Sequence, residues 1–247
     1  MSVNHHRRLP DVYPVQTLRG HEVTRAWPRV DDGQQTDHPH HQSMWIAHGD
    51  VNGNDFWHDP KCWVNTRGDW IGRDGRIVCT TRRNYEDSSV GDVRVVNCEV
   101  VMIASHGDLR FGDTKEGTFA MRLHEGLVDD LGGELQNAEG LRGADVWGKP
   151  SRWVQASGEV DGAQVTVVLA GHQDNLRHPT TWHARTYGLL AANPFGLQAF
   201  GQEDSGEYVL PAGEFMRLRY RVLLFDRVPD AAEIESLLEG FSSATPR

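Results

Sequence analysis

Met216-Arg-Leu-Arg-Tyr-Arg-Val-Leu-Leu224 places Met216, Leu218, Tyr220, Val222 and Leu224 at every second position, with arginines at 217, 219 and 221 between them. Successive side chains of a strand point to opposite faces, so this period of two makes a strand with one buried face. A helix would scatter the same arginines around its axis. The stretch sets the class as β, and the segments on either side of it agree.

Upstream, Arg152 to Val160 and Ala163 to Ala170 read as strands joined by Asp161-Gly162, a two-residue hairpin turn. Arg76 to Arg83 and Val93 to Ala104 are two more, rich in β-branched residues and separated by a turn at Glu86-Asp87-Ser88-Ser89. Shorter strands are expected over Met44–His48, Phe119–Leu123 and His21–Trp27, the last ended by Pro28, and Asp31-Asp32-Gly33 turns the chain onward. The stretch from Leu123 to Trp147 reads as a loop. Downstream, Asp230-Ala231-Ala232-Glu233 resembles a capping box and starts a helix that turns Ile234, Leu237, Leu238 and Phe241 inward. Many short strands, frequent glycine turns and one late helix specify an all-β protein, a large antiparallel β-sandwich with one short C-terminal helix.

Residues 1–20, punctuated by Pro10 and Pro14, read as an arm that orders only as it joins the domain, with His5 and His6 in solvent. Residues 21–241 form a single sandwich domain, and 242–247 a frayed tail. A chain of 247 residues buries a substantial core unaided. The net charge of −10 argues against a nucleic-acid partner, which requires a dense basic face. No stretch approaches the roughly 18 apolar residues of a membrane span, and the N-terminus lacks the apolar run of a signal peptide. Cys62, Cys79 and Cys98 are odd in number and show no C-x-x-C spacing, which fits a reducing, cytoplasmic setting.

The chemistry concentrates between Asp37 and Trp57, a stretch carrying four histidines, His38, His40, His41 and His48. Imidazoles exchange protons near neutral pH, so His41 and His48 are candidate acid–base catalysts. They are favoured over His38, which precedes Pro39 and is held in an extended turn. On the strand Met44–His48, the side chains of Met44, Ile46 and His48 share one face, so His48 is expected to project from a sheet. Asp50, Asn52, Asp55 and Trp57 are candidate substrate contacts, through hydroxyl-accepting polar groups and an aromatic face. Lys115 and Glu116 lie in the glycine-rich Gly112–Gly117 segment, the lysine to stabilise a developing oxyanion and the glutamate as a base. Glu139 is a second candidate base; its structural reading is a turn residue paired with Arg142. In Trp182-His183-Ala184-Arg185, His183 and Arg185 share a face, as acid and as oxygen clamp, and Trp182 points the other way as an aromatic contact. No cofactor is favoured. The alternative is zinc or manganese held by His40, His41, His48 and His183, with Asp37, Asp50, Asp55 or His172 nearby, although no spacing matches a metal signature such as H-E-x-x-H.

Several unusual strings occur together: Asp37-His-Pro-His-His41, Ala47-His-Gly-Asp-Val-Asn-Gly53, Asp55-Phe-Trp57, Gly112-Asp-Thr-Lys-Glu-Gly-Thr-Phe119, Trp147-Gly-Lys-Pro150 and Trp182-His-Ala-Arg-Thr-Tyr-Gly188 through Asn193-Pro-Phe-Gly196. Over most of its length the chain thereby resembles the PmoA-like family of bacterial proteins, with abbreviated strands before His21. That resemblance implies a galactose-mutarotase-like supersandwich, a fold often used on carbohydrates. The expected function is acid–base proton transfer on a sugar or keto-sugar by an isomerase, epimerase, mutarotase or lyase. A metal-dependent enzyme acting on a sugar-like small molecule and a non-catalytic carbohydrate-binding sandwich are the alternatives.

Overall fold

The computed structural model describes residues 1–4, 8–25, 37, 38 and 40–242. It is an all-β sandwich in which every strand pair is antiparallel. The smaller sheet has five strands, in the order β1 (Ser2–Asn4), β2 (Asp11–Tyr13), β3 (Met44–His48), β9 (Gly117–Arg122) and β13 (Leu189–Ala192). The larger begins with β10 (Glu134–Asn137), β11 (Trp153–Val160), β12 (Ala163–Gly171) and β15 (Phe215–Phe225). It continues with β7 (Val93–Ile103), β6 (Ile77–Val90), β5 (Asp69–Ile71) and β4 (Trp63–Val64). A separate ribbon pairs β8 (Leu109–Phe111) with β14 (Tyr208–Leu210).

The alternating strand Met216–Leu224 is β15, in the middle of the larger sheet. Its Leu218, Tyr220, Val222 and Leu224 enter the main core between the sheets, where Tyr220 stacks on Phe119 of β9 with ring centroids 4.4 Å apart. Leu223 and Phe225, on the opposite face, enter a second core with Trp153 and Val168. That core is closed by α1 (Ala231–Ser242), whose Ile234, Leu238 and Phe241 pack on the outer face of the larger sheet. The backbone N–H of Glu233 donates to Asp230 at 2.8 Å, the cap that the sequence proposes.

The structure corrects four readings. Residues 8–20 are no arm, since they belong to the sandwich with Leu9, Val12 and Val15 buried. Glu86–Ser89 is no turn either: β6 runs on to Val90, and the chain reverses at Gly91-Asp92 with Gly91 at φ 59°. Residues 86–90 of β6 are all exposed, so polar residues there carry no turn signal. The expected loop before Trp147 contains β10, a four-residue edge strand with too few side chains to show a period. Of the segment His21–Trp27, the described part is no continuous strand, and only Glu22 and Thr24 make isolated bridges. Trp27, Pro28, the turn at Asp31-Asp32-Gly33, His5, His6 and residues 243–247 lie outside the described residues.

The three cysteines are buried free thiols, and no described helix is long and apolar enough to cross a membrane. Because α1 closes the second core through a few side chains, truncating the fully buried Ile234 to alanine should cost about 2–4 kcal/mol. Urea denaturation checks this: the midpoint should fall with an unchanged slope.

Candidate functional site

Along β3, Trp45 and Ala47 lie on the face of the smaller sheet opposite Ile46, and Thr118, Ala120 and Arg122 of the paired β9 point the same way. A cleft of about 240 Å³ lies on this side. One wall comes from His38, His40, His41, Trp57 and His58, and the opposite one from Lys115 and Glu116 together with His183, Arg185 and Tyr187. Lys115 and Glu116 come from the segment leading into β9, and the other three from a hairpin: His183 and Ala191 exchange backbone hydrogen bonds, and Arg185 bridges Leu189 across a turn closed by Gly188 at φ 92°. This alternation turns His183 and Arg185 to the cleft, as the sequence implies.

A buried ionic network holds the first wall. Arg122, 1% exposed, donates through one terminal nitrogen to both carboxylate oxygens of Asp37 at 2.9 Å. Arg25 donates to the Asp37 side chain and to the carbonyls of Asp37, His38 and His41 at 3.0–3.1 Å. Burial pushes the Asp37 pKa up, but the hydrogen bond from His38 and the Arg122 and Arg25 charges outweigh it and hold it below the usual value. With its Nδ1–H donating to Asp37 at 2.5 Å, His38 turns its remaining nitrogen away from the carboxylate. The backbone there is left-handed, at φ 46°. His58 repeats the motif with Asp55, 3.1 Å from its Nδ1, and the Asp55 carboxylate also caps the N–H groups of Trp57 and His58 at 2.8 Å. The loop carrying them is tied to the N-terminal segment by Arg8, which donates to the carbonyls of Phe56, Trp57, Asp59 and Cys62 at 2.9–3.1 Å.

The imidazoles form a contiguous group. His40 lies edge-on to His41 and His58 with centroids 4.4 and 4.8 Å away, and His41 stacks between His38 and Trp45. Burial, reinforced by neighbouring positive charge, lowers the pKa of His40 to about 4 and of His183 to about 3, and moves His41 in the same direction. These rings are neutral at physiological pH. His40 Nε2, His41 Nδ1 and His183 Nδ1 are buried without a hydrogen-bond partner among the described residues. An unsatisfied buried polar atom costs about 1–3 kcal/mol, so these three imidazoles carry a cost that the described residues do not offset.

The sequence-derived candidates divide. His40, His41, His183, Lys115, Glu116, Arg185 and Trp57 converge on the cleft. His48 does not line it: it shares the core-facing side of β3 with Met44 and Ile46 and packs on Phe111 and Phe195, with Nε2–H donating to Gly112 O at 2.9 Å. Glycine at 117 leaves room for that ring, because a Cβ there would come within 2.3 Å of His48 Nδ1. Glu139 is an exposed turn residue outside the cleft, and Arg142 pairs with Glu134 instead. Trp182 is fully buried core, its indole N–H donating to Ser151 O. Arg110 engages Asp50 and, through its backbone N–H, Asn52. Asp55 acts through His58, and His172 lies under α1 against Phe241. Among the described residues no three His, Cys, Asp or Glu side chains are arranged to hold a metal ion.

Sequence reasoning set His38 aside and missed His58 and Tyr187. The Asp55-x-x-His58 spacing was a signal for the second. Tyr187 stacks on His38 at 4.8 Å and lies under the Arg122 and Arg185 guanidinium groups. A larger hollow of about 350 Å³, bounded by β1 and β6, contains neither an imidazole nor a carboxylate and cannot do the same chemistry.

Fold and cleft define an all-β sandwich with a histidine-lined polar cleft outside its smaller sheet. Over residues 2–69 and 61–239 the chain matches the model of a family of unknown function, DUF6807, and it belongs to that family. It matches no curated protein and no solved structure with significance.

Replacing Arg8 by alanine strips four carbonyls of their donor and should lower stability by roughly 2–4 kcal/mol. Hydrogen exchange should rise first in residues 56–62, read by mass spectrometry. A second prediction concerns pH. His40 and His48 titrate near 4 and His183 near 3, against an ordinary value of 6.5, so between these limits the unfolded chain binds more protons than the folded one. Stability should therefore be flat above pH 6.5 and fall as pH drops towards 4, the fully buried His48 alone contributing a slope approaching ~1.4 kcal/mol per pH unit. Urea unfolding across that range checks the sign, and His48→Gln should flatten the profile.

Proposed function

We propose that the cleft binds a monosaccharide-sized sugar or keto-sugar and moves a proton on it. The observation that carries this reading is the convergence of a carboxylate-anchored imidazole, Asp37–His38, with Lys115, Glu116 and Arg185 around one small polar recess. A volume of about 240 Å³ falls below the roughly 300–1,000 Å³ of drug-sized pockets. Hydroxyl groups suit a recess lined by the neutral imidazoles of His40, His41 and His183, because a hydroxyl donates to a bare nitrogen and accepts from an N–H. Trp57 and Tyr187 offer aromatic surface to the C–H face of a pyranose. The resemblance to the PmoA-like family and its galactose-mutarotase-like fold adds support by analogy.

In this reading the aspartate holds the His38 imidazole in one tautomer and orientation, as in other carboxylate–histidine pairs. His38 or Glu116 takes the proton from a carbon next to a carbonyl, and Lys115 and Arg185 stabilise the oxygen that gains charge. Return of the proton gives an epimer or isomer; departure of a β-oxygen instead gives a lyase. His41 and His183, kept neutral by burial, position hydroxyls rather than serve as principal acids. A divalent zinc or manganese ion is the second reading. His38 and His58 each have Nδ1 tied to a carboxylate, the arrangement that orients metal-bound imidazoles, and His40 Nε2 lies in the same cluster.

Incubating the protein with a panel of sugars and 3-keto-sugars and following them by NMR tests the reading. Turnover is expected, with His38→Ala losing it by about 10²-fold or more while ligand affinity changes little, and Glu139→Ala behaving as wild type. Binding without turnover of any panel member would establish the non-catalytic alternative. Turnover that vanishes with chelator and returns with zinc or manganese would select the metal reading.

A further inference from the structure

On the inner face of β6, at the edge of the larger hollow, Arg83 is a half-buried guanidinium that no carboxylate approaches within ion-pair distance among the described residues. Its Nε and one terminal nitrogen donate to a single acceptor, the Thr81 hydroxyl, at 3.4 and 3.3 Å. That oxygen already accepts from the Trp70 indole at 3.2 Å. Other arginines without carboxylates are better served: Arg8 and Arg177 donate to backbone carbonyls at 3.1 Å or less. Removing a cation from water without a partner is costly, and proteins with such groups normally provide a counter-charge or a full set of acceptors. Burial pulls the Arg83 pKa below the usual guanidinium value, as expected where no internal anion offsets it.

The side chains lining the hollow beside Arg83 offer further donors and include no carboxylate; Asp69 lies behind them, 3.4 Å from Arg67 Nε and 2.9 Å from Asn65 Nδ2. The hollow is lined also by Asn65, Thr66, Arg67, Arg82 and Tyr85, and its volume of about 350 Å³ admits a whole small molecule. A cationic recess of this kind stands out in a chain with a net charge of −10. We propose that it is a binding site for a small-molecule oxyanion, a carboxylate, sulfate or phosphate group, received by the planar fork of Arg83. It shares no residue with the histidine cleft and stands independently of what that cleft does.

Isothermal titration calorimetry on the full chain at low salt, with inorganic phosphate, sulfate and acetate as probes, tests the assignment. Saturable one-site binding of at least one probe is expected, weakening as salt rises. Arg83→Gln should weaken it at least tenfold, and Arg83→Lys, which keeps the charge but loses the fork, by about three- to tenfold. Circular dichroism establishes that each variant is folded, and the lysine variant decides the matter if the glutamine variant is not. Arg185→Gln, in the separate cleft, should bind the probe as wild type does. The proposal is overturned if no probe binds up to ~10 mM, if binding survives both Arg83 substitutions in folded protein, or if Arg185→Gln abolishes it.

Discussion

The contact between Arg122 and Asp37 joins the scaffold to the chemistry. Arg122 belongs to β9, an interior strand of the smaller sheet, and a guanidinium 1% exposed must have a counter-charge nearby. Asp37 supplies it from a segment 85 residues away in sequence, and its carboxylate also receives Arg25 and His38. Asp37 is thereby pinned over the sheet, and Arg25 secures the carbonyls of Asp37, His38 and His41. Breaking such a buried pair leaves an uncompensated charge, so the ionic network that orders the histidine segment is also part of what holds the sandwich together.

Around this anchor the protein separates groups by charge state. The deeper imidazoles, His41 and His183, are kept neutral by burial, whereas the Lys115 side chain is half exposed at the rim. Two further imidazoles, His38 and His58, are oriented by aspartates. Neutral hydrogen-bonding groups in the interior and mobile charge at the edge are what a polar, uncharged occupant requires. The hollow around Arg83 is of the opposite character, with cationic and neutral donors and no base.

How much of this was legible in the sequence follows from the range of each interaction. β15, the Asp161-Gly162 hairpin and α1 are written in periods and turn residues a few positions long, and they were readable. β10 was not, because four residues on a sheet edge carry no period. The turn assigned to Glu86–Ser89 failed since the exposed polar side chains at that end of β6 look like a loop. Periodicity put His48 on the same side as Met44 and Ile46 correctly, yet it does not say which side is the core, and His48 was given to the wrong one. His183 and Arg185 succeeded through the same rule because their hairpin turns the other face outward. Tyr187 and His58 became visible only when distant segments met, a consequence of sheet order rather than of local pattern.

The cleft is assembled from residues 38–58, 115–116 and 183–187, brought together by three adjacent strands, β3, β9 and β13. No fragment holding one of these segments contains a binding site. A ligand of the recess would therefore recognise the complete sandwich and not the unfolded chain, so its binding free energy would add to that of folding, about 2.7 kcal/mol at a hundredfold excess over Kd. The temperature at which this protein melts is thus a reporter of occupancy that requires no assumption about what the occupant is.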